Sequence, residues 1–161
     1  MVRSVSTGRR DRLVQQKRHD AYQGSGKWPE PTACVVCACV YQNGRWAWKE
    51  CPDEAQRIIC PACQRAADKF PAGVIEISGP FHAKNRGELL NLVRNEGENE
   101  RRERPMERIM EIVETPEQTV VTTTGVHVAR RIGEALARAY QGEFNFRYGD
   151  ADKTIRVSWS R

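Results

Sequence analysis

The sequence has no run of about 18 apolar residues, so it predicts no helix that could span a membrane. Residues 1–6 lack the apolar stretch of a secretory signal peptide. We therefore expect a cytoplasmic protein, in which cysteine thiols stay reduced and are free to bind metal.

Residues suited to catalysis are scarce. The three histidines, His19, His82 and His127, lie outside any motif for nucleophilic or metal-assisted chemistry. The segment Gly24-Ser-Gly-Lys27 imitates the end of a P-loop, but Trp28 stands where Ser or Thr is needed. We expect neither an enzyme nor a small-molecule substrate.

Cysteine is the most informative residue type in the chain. Four of the six cysteines form two C-x-x-C pairs separated by 22 residues, Cys34 with Cys37 and Cys60 with Cys63. Two thiolates three residues apart can turn onto one ion, and two such pairs complete a tetrahedron around Zn²⁺. The alternative is a pair of disulfides in a secreted domain, which the absence of secretory features disfavours. The spacing therefore predicts a closed, structural zinc site.

Two further cysteines leave the ligand set open. Cys39 lies on a predicted strand, where it is most simply a small buried apolar residue. Cys51 precedes Pro52 and could replace a ligand of the first pair, because that pair has Ala38 where a Gly often helps the chain turn.

The residues between the cysteine pairs predict a β-hairpin. Asn43-Gly44, flanked by short β-prone runs, is typical of a type I′ turn, since both turn residues need positive φ. A cysteine pair, a hairpin and a second pair make a zinc ribbon, which we place at residues 34–72. Trp46 and Trp48 lie on one face of their strand, where they either cover the thin core of the ribbon or offer a stacking surface to RNA.

The net charge of +5 is concentrated in the first 33 residues. This basic arm has seven Lys/Arg against three Asp/Glu, no apolar period, and few side chains able to form a core. A basic arm on a nearly neutral body indicates a polyanionic partner; the alternative is a solubilising tail. The predicted RNA-binding residues are Arg9, Arg10, Arg12, Lys17, Arg18, Lys27, Trp28, Arg45 and Trp46.

Residues 73–161, the C-terminal domain, read as alternating strands and helices in the order β-α-β-β-α-β-β. We predict strands at 74–78, 108–113, 119–124, 143–148 and 154–159, and helices at 85–94 and 125–141, the second with Thr124 as N-cap. The mixed-charge residues 95–105 read as a solvated helix end or loop. The order suggests a ferredoxin-like split βαβ fold, with two helices on one face of an antiparallel sheet, so the whole chain is α+β.

The last two predicted strands alternate cleanly. The apolar side chains of both strands face one side, which we expect to pack under the helices. Arg147 and Arg156 then lie on the open face, where they could meet phosphates.

Six segments carry a resemblance that covers most of the chain from His19 onward. They are Glu30-Pro-Thr-Ala-Cys34, Gly44-Arg-Trp-Ala-Trp48, Cys60-Pro-Ala-Cys63, Ser78-Gly-Pro-Phe81, Leu90-Asn-Leu-Val-Arg-Asn-Glu96 and Thr123-Thr-Gly-Val-His-Val-Ala-Arg-Arg-Ile-Gly133. Together they resemble a family of short bacterial zinc-ribbon proteins. The cysteine pairs are also similar to those in the amino-terminal part of the archaeal and eukaryotic adaptor that binds the large ribosomal subunit for export, which implies a ribosomal partner.

Two functions follow as expectations. The first is a protein that binds structured RNA, most simply ribosomal RNA on the ribosome, through its basic arm and zinc ribbon. The second is a protein–protein adaptor in which Trp28, Trp46 and Trp48 anchor the interface.

Overall fold

A computed structural model of the protein describes Tyr22, residues 28–150 and residues 153–161. These residues form two sheets and three helices. The strands are β1 Thr32–Cys34, β2 Val40–Gln42, β3 Arg45–Ala47, β4 Gln56–Ile58, β5 Gly73–Ser78, β6 Ile109–Glu114, β7 Gln118–Thr123, β8 Glu143–Tyr148 and β9 Ile155–Ser160. The helices are α1 Pro61–Asp68, α2 Pro80–Glu103 and α3 Val126–Tyr140. Within the described part of the chain, no helix has the length and apolar character needed to cross a membrane.

The ribbon contains a small sheet with strand order β3-β2-β1-β4. The predicted hairpin between β2 and β3 is confirmed, with Gln42 opposite Arg45 and with φ of 56° at Asn43 and 76° at Gly44. Positive φ at both turn residues is the requirement of a type I′ turn.

From Asp53 to Phe70, the spacing of Ala55, Ile58, Ile59, Ala66 and Ala67 predicts short helical turns, but the structure has a strand in the part before the second cysteine pair. Residues 56–58 form strand β4, which runs parallel to β1 and pairs Cys34 with Ile58. The helix begins only at Pro61, and Cys60 is its N-cap residue. A three-residue strand has too short a pattern to be distinguished from a helical turn by its sequence, and its pairing with β1 decides the outcome.

The C-terminal domain has a five-stranded sheet with strand order β6-β7-β5-β9-β8. It is mixed rather than antiparallel, because β5 and β9 run parallel along their whole length. The prediction of a purely antiparallel sheet is therefore wrong. β9 lies between β5 and β8, and its inward side chains Ile155, Val157 and Trp159 are all buried, whereas Phe146 of the edge strand β8 is 40% exposed. β9 therefore occupies an inner position in the sheet, paired on both sides, and β8 forms the edge.

One core cluster joins α2 and α3 to the inward face of this sheet, as expected. Its buried members are Ile75, Ile77, Leu89, Val93, Val121, Val128, Ala129, Ile132, Leu136, Ile155, Val157 and Trp159. The predicted common face of the last two strands is confirmed, since Phe144 lies opposite Trp159. On the opposite face, Arg156 forms an ion pair with Glu76 at 2.8 Å, and Arg147 is exposed.

Helix α2 extends nine residues beyond the predicted end near Arg94. The expected solvated segment is helical as far as Glu103, and Glu100 within it is buried. Its carboxylate accepts hydrogen bonds from Arg104 at 3.0 Å and Arg131 at 3.2 Å. The last turns of α2 are therefore packed against the rest of the domain. The charged sequence does not indicate this packing, because one of the two arginines that bind Glu100, Arg131, comes from α3.

The start of α3 also differs from the prediction. Thr124 does not cap the helix; its hydroxyl donates to the Met106 carbonyl at 2.7 Å and accepts from the Arg108 amide at 2.9 Å. The cap comes instead from the half-buried Glu107 carboxylate, which accepts a hydrogen bond from the Val128 amide at 3.0 Å. Burial raises the pKa of Glu107, while this hydrogen bond opposes the rise.

Gly133 marks the closest approach of α3 to the sheet. A β-carbon at this position would collide with the Phe144 ring and lie 2.7 Å from Val157 Cγ1. We expect Gly133→Ala to lower the free energy of unfolding by about 1–3 kcal/mol, the usual cost of overpacking a core. Gly87→Ala in α2 is the matched control: nothing lies within 4 Å of its β-carbon, so helix propensity should stabilise this variant by about 0.5–1 kcal/mol. Urea denaturation of both variants checks the prediction, and equal stability would contradict it.

Candidate metal centre

Five of the six cysteines lie in one cluster. The sulfur atoms of Cys34, Cys37, Cys39 and Cys60 all lie within 4.8 Å of one another. Cys63, one helical turn after Cys60, belongs to the same buried cluster. The group of mutually close sulfurs therefore contains Cys34, Cys37 and Cys60 of the predicted ligands, with Cys39 in the place of Cys63, and it is consistent with a zinc-ribbon-like metal site.

Local backbone geometry aims the first pair inward. Cys34 ends β1, and its sulfur accepts hydrogen bonds from the amides of Val36 at 3.4 Å and Cys60 at 3.3 Å. The chain then reverses through Ala38, which has a φ of 66° in place of the glycine that such a turn favours.

The second pair is presented by a helix instead of a second turn. Cys60 is the N-cap of α1, and its sulfur accepts a hydrogen bond from the Cys63 amide at 3.4 Å. Pro61 occupies the first helical position, where a missing amide hydrogen costs nothing. Three residues of helix therefore bring Cys60 and Cys63 to the same side.

The acidity of the thiols differs sharply within the cluster. Burial alone would raise the pKa of Cys34, but hydrogen bonds from the amides of Cys37, Cys60 and Val36 lower it to about 6. Burial raises the pKa of Cys37 to about 11 and also raises the pKa of Cys63. A side-chain hydrogen bond with Cys39, together with burial, raises the pKa of Cys60. Because a metal ion binds thiolates, metal binding at this site would release protons, and the metal affinity would fall as the pH falls.

One sulfur separation matches the edge expected of a tetrahedral thiolate site. Zinc–sulfur bonds of about 2.3 Å place the corners of a tetrahedron about 3.8 Å apart. The Cys37 and Cys60 sulfurs are separated by 3.8 Å, which fits such an edge. The Cys37 thiol donates to the Cys39 sulfur at 3.2 Å, a separation shorter than the edge of such a tetrahedron.

The two additional cysteines, Cys39 and Cys51, lie in different places relative to the cluster. Cys39 is fully buried, as expected, but it lies among the other sulfurs and not in an apolar core. Cys51 lies outside both the group of mutually close sulfurs and the buried cluster that includes Cys63, and its thiol donates to the Pro52 carbonyl at 3.4 Å. The alternative in which Cys51 replaces a ligand therefore has no geometric support.

Arg108, from the C-terminal domain, is the site residue that the sequence did not reveal. Its guanidinium donates to the sulfurs of Cys37 at 3.1 Å, Cys63 at 3.3 Å and Cys60 at 3.7 Å. Burial would lower the pKa of Arg108, but the bonds to Cys63 and Cys37 raise it, so the side chain stays charged. An arginine just before a strand has no distinguishing pattern, and only the fold brings it to the cysteines.

The predicted aromatic RNA contacts pack against one another. The Trp28 ring lies 5.2 Å from that of Tyr41 and 5.4 Å from that of Trp46, and both tryptophans are partly buried. This favours the interpretation in which the tryptophans cover the thin core of the ribbon. Arg45 is exposed on β3. The six predicted contacts of the arm lie outside the described residues; they are Arg9, Arg10, Arg12, Lys17, Arg18 and Lys27.

Trp48 connects the ribbon to the C-terminal domain. Its indole N–H donates to the Arg101 carbonyl at 2.7 Å, and the guanidinium of Arg101 lies 5.0 Å from the centre of its ring. Trp48 is therefore engaged within the protein, which weakens its case as an anchor for a partner.

Comparisons with protein-family models, with curated proteins and with solved structures find no match to this chain. They lend no support to the likeness with the ribosomal export adaptor. What the fold and site define is a mixed α+β protein with a cysteine cluster suited to a metal ion.

Proposed function

We propose that this protein binds one structural zinc ion and uses its basic arm to bind RNA, most simply on the ribosome. The zinc site is carried by the convergence of two C-x-x-C pairs onto one buried cluster. Four thiolates leave zinc no open position, so the ion would hold the ribbon together and perform no chemistry on a substrate.

The four ligands in this proposal are Cys34, Cys37, Cys60 and Cys63, with Cys39 as a neighbouring thiol. The C-x-x-C spacing favours Cys63 over Cys39 as the fourth ligand, although Cys39 is the one that belongs to the group of mutually close sulfurs. Two contacts are consistent with this choice. Arg108 donates to Cys63 as it does to Cys37 and Cys60, and the structure shows no such bond to Cys39 among the described residues. The short separation between Cys37 and Cys39 also leaves little room for an ion bound by both.

Matched serine substitutions test the choice of ligand. We expect Cys63→Ser to lower zinc affinity by more than the roughly 10–100-fold that loss of an outer partner costs, because a coordinating thiolate is removed. Cys39→Ser should keep one zinc per chain, since a hydroxyl can still hydrogen-bond to Cys37. Chelator competition and metal analysis measure both variants. Loss of zinc from Cys39→Ser with retention in Cys63→Ser would exchange the roles of the two residues.

RNA binding is supported by the distribution of charge. The excess of positive charge lies in residues 1–33, while residues 73–161 have 14 basic and 14 acidic side chains. Exposed Arg45 adds a cation on the ribbon. An electroneutral body with one cationic end is suited to phosphate contacts made by that end.

Sedimentation of a cell lysate tests the ribosomal part of the proposal. On a sucrose gradient at low salt, the protein should migrate with ribosomal particles, and raised salt should release it because counterions compete for the phosphates. Samples from growing and stationary cells are both needed. A protein that stays at the top of every gradient would exclude ribosome association, and pull-down followed by RNA and protein identification would then distinguish another RNA from a protein partner.

A further inference from the structure

Arg108 reaches the sulfur cluster from a rigid position in the C-terminal domain. Its backbone is tied to the end of β7, since its carbonyl accepts from the Thr124 amide at 2.8 Å and its own amide donates to the Thr124 hydroxyl. Its Nε donates to the Pro105 carbonyl, and its guanidinium lies 5.5 Å from the centre of the Trp48 ring. These contacts leave both terminal nitrogens directed at sulfur.

The sulfurs are the anionic partners of this cation. Among the described residues, Arg108 forms no ion pair with a carboxylate; its terminal nitrogens bond to Cys37, Cys60 and Cys63 instead. Zinc held by four thiolates has a net charge of −2, so a partly buried guanidinium offsets half of it. Hydrogen bonds that involve an ionised donor or acceptor are about twice as strong as neutral ones.

We propose that Arg108 is a positioning residue for the metal centre, holding three ligand sulfurs from outside the coordination shell. Because Arg108 belongs to the C-terminal domain, metal binding and docking of the ribbon onto that domain become interdependent. Reciprocity of the coupling requires that docking strengthen metal binding as much as metal strengthens docking. This inference rests on the proposed zinc site and is independent of RNA.

Substitutions in the full-length chain test this role. We expect Arg108→Met, which keeps an unbranched stem but removes the charge and donors, to weaken zinc binding by about 10–100-fold. In the cobalt-substituted protein it should also shift the sulfur-to-cobalt charge-transfer band, because the ligand sulfurs lose their hydrogen bonds. Arg108→Lys should give an intermediate affinity, since it keeps the charge but loses the planar fork.

Arg101→Met is the matched control, because Arg101 lies over the same Trp48 ring and forms no bond to sulfur among the described contacts. It should leave zinc affinity and the cobalt band unchanged. Wild-type affinity and an unaltered band in Arg108→Met would overturn the proposal. If Arg108→Met does not fold, Arg108→Lys tests the proposal alone. A wild-type zinc affinity and a wild-type cobalt band in Arg108→Lys would overturn the proposal, whereas a weaker affinity with a shifted band would support it.

The same measurements separate this inference from the proposed function. The metal-binding measurements contain no RNA, so a protein that fails to bind RNA in other experiments could still have Arg108 in this role. A wild-type chain that binds neither zinc nor cobalt would remove the zinc site and the inference together. Wild-type metal binding in both Arg108 variants would remove the inference alone.

Discussion

Replacing Cys60 with serine should abolish zinc binding and unfold the ribbon while the C-terminal domain stays folded. Structural zinc contributes an apparent binding free energy of about 10–16 kcal/mol, comparable to the entire stability of a typical domain. Cys60 is the best position for this test because serine is itself a favoured N-cap, so α1 keeps its cap and loses only the thiolate. The C-terminal core is a separate cluster and should survive.

Hydrogen exchange resolved along the chain measures this outcome. Strands β1 to β4 and helix α1 should lose protection, while β5, β7 and β9 keep it. Cys51→Ser is the control, since Cys51 donates to the Pro52 carbonyl and a hydroxyl can do the same. A Cys60→Ser chain that keeps a protected ribbon and one bound zinc would show that the ion does not hold the module together.

The parts of the site that sequence revealed are those encoded by short spacings. Two thiolates three residues apart can serve one ion whatever the rest of the chain does, so Cys34, Cys37 and Cys60 could be assigned to one cluster. The turn at Asn43-Gly44 was equally local, because its φ requirement falls on two adjacent residues.

The parts that sequence missed depend on contacts between distant segments. Arg108 lies 45 residues from Cys63, and Glu107 caps a helix through an amide 21 residues away. Strand β9 takes its inner position by pairing with β5, about 80 residues earlier in the chain. Neither side-chain type nor periodicity predicts pairings between such distant segments. The sheet order and the hydrogen bonds from Arg108 to the sulfurs could therefore be identified only from the structure.

The second large effect is expected in RNA binding, where the basic arm should supply most of the affinity. If all six of its predicted cations contact phosphates of single-stranded RNA, the logarithm of the affinity falls with the logarithm of salt concentration at a slope of about −4. Raising salt from about 50 to about 200 mM would then weaken binding about 300-fold. Replacing Arg9, Arg10, Arg12, Lys17, Arg18 and Lys27 with glutamine should remove this contribution of about −4 to the slope, leaving the smaller contribution of Arg45, and should lower the affinity at low salt by at least about 100-fold.

Fluorescence anisotropy with labelled single-stranded RNA and with purified ribosomal RNA measures both quantities. The glutamine variant is preferable to deletion of residues 1–27, because deletion also removes Tyr22, whose hydroxyl donates to Asp68 at 3.0 Å. A matched variant with the four arginines replaced by lysine keeps the charge and should keep the slope, since counterion release depends on charge. A glutamine variant with unchanged affinity and slope would place the RNA contacts outside the arm. Loss of affinity in the lysine variant as well would instead show that arginine geometry, and not charge alone, recognises the RNA.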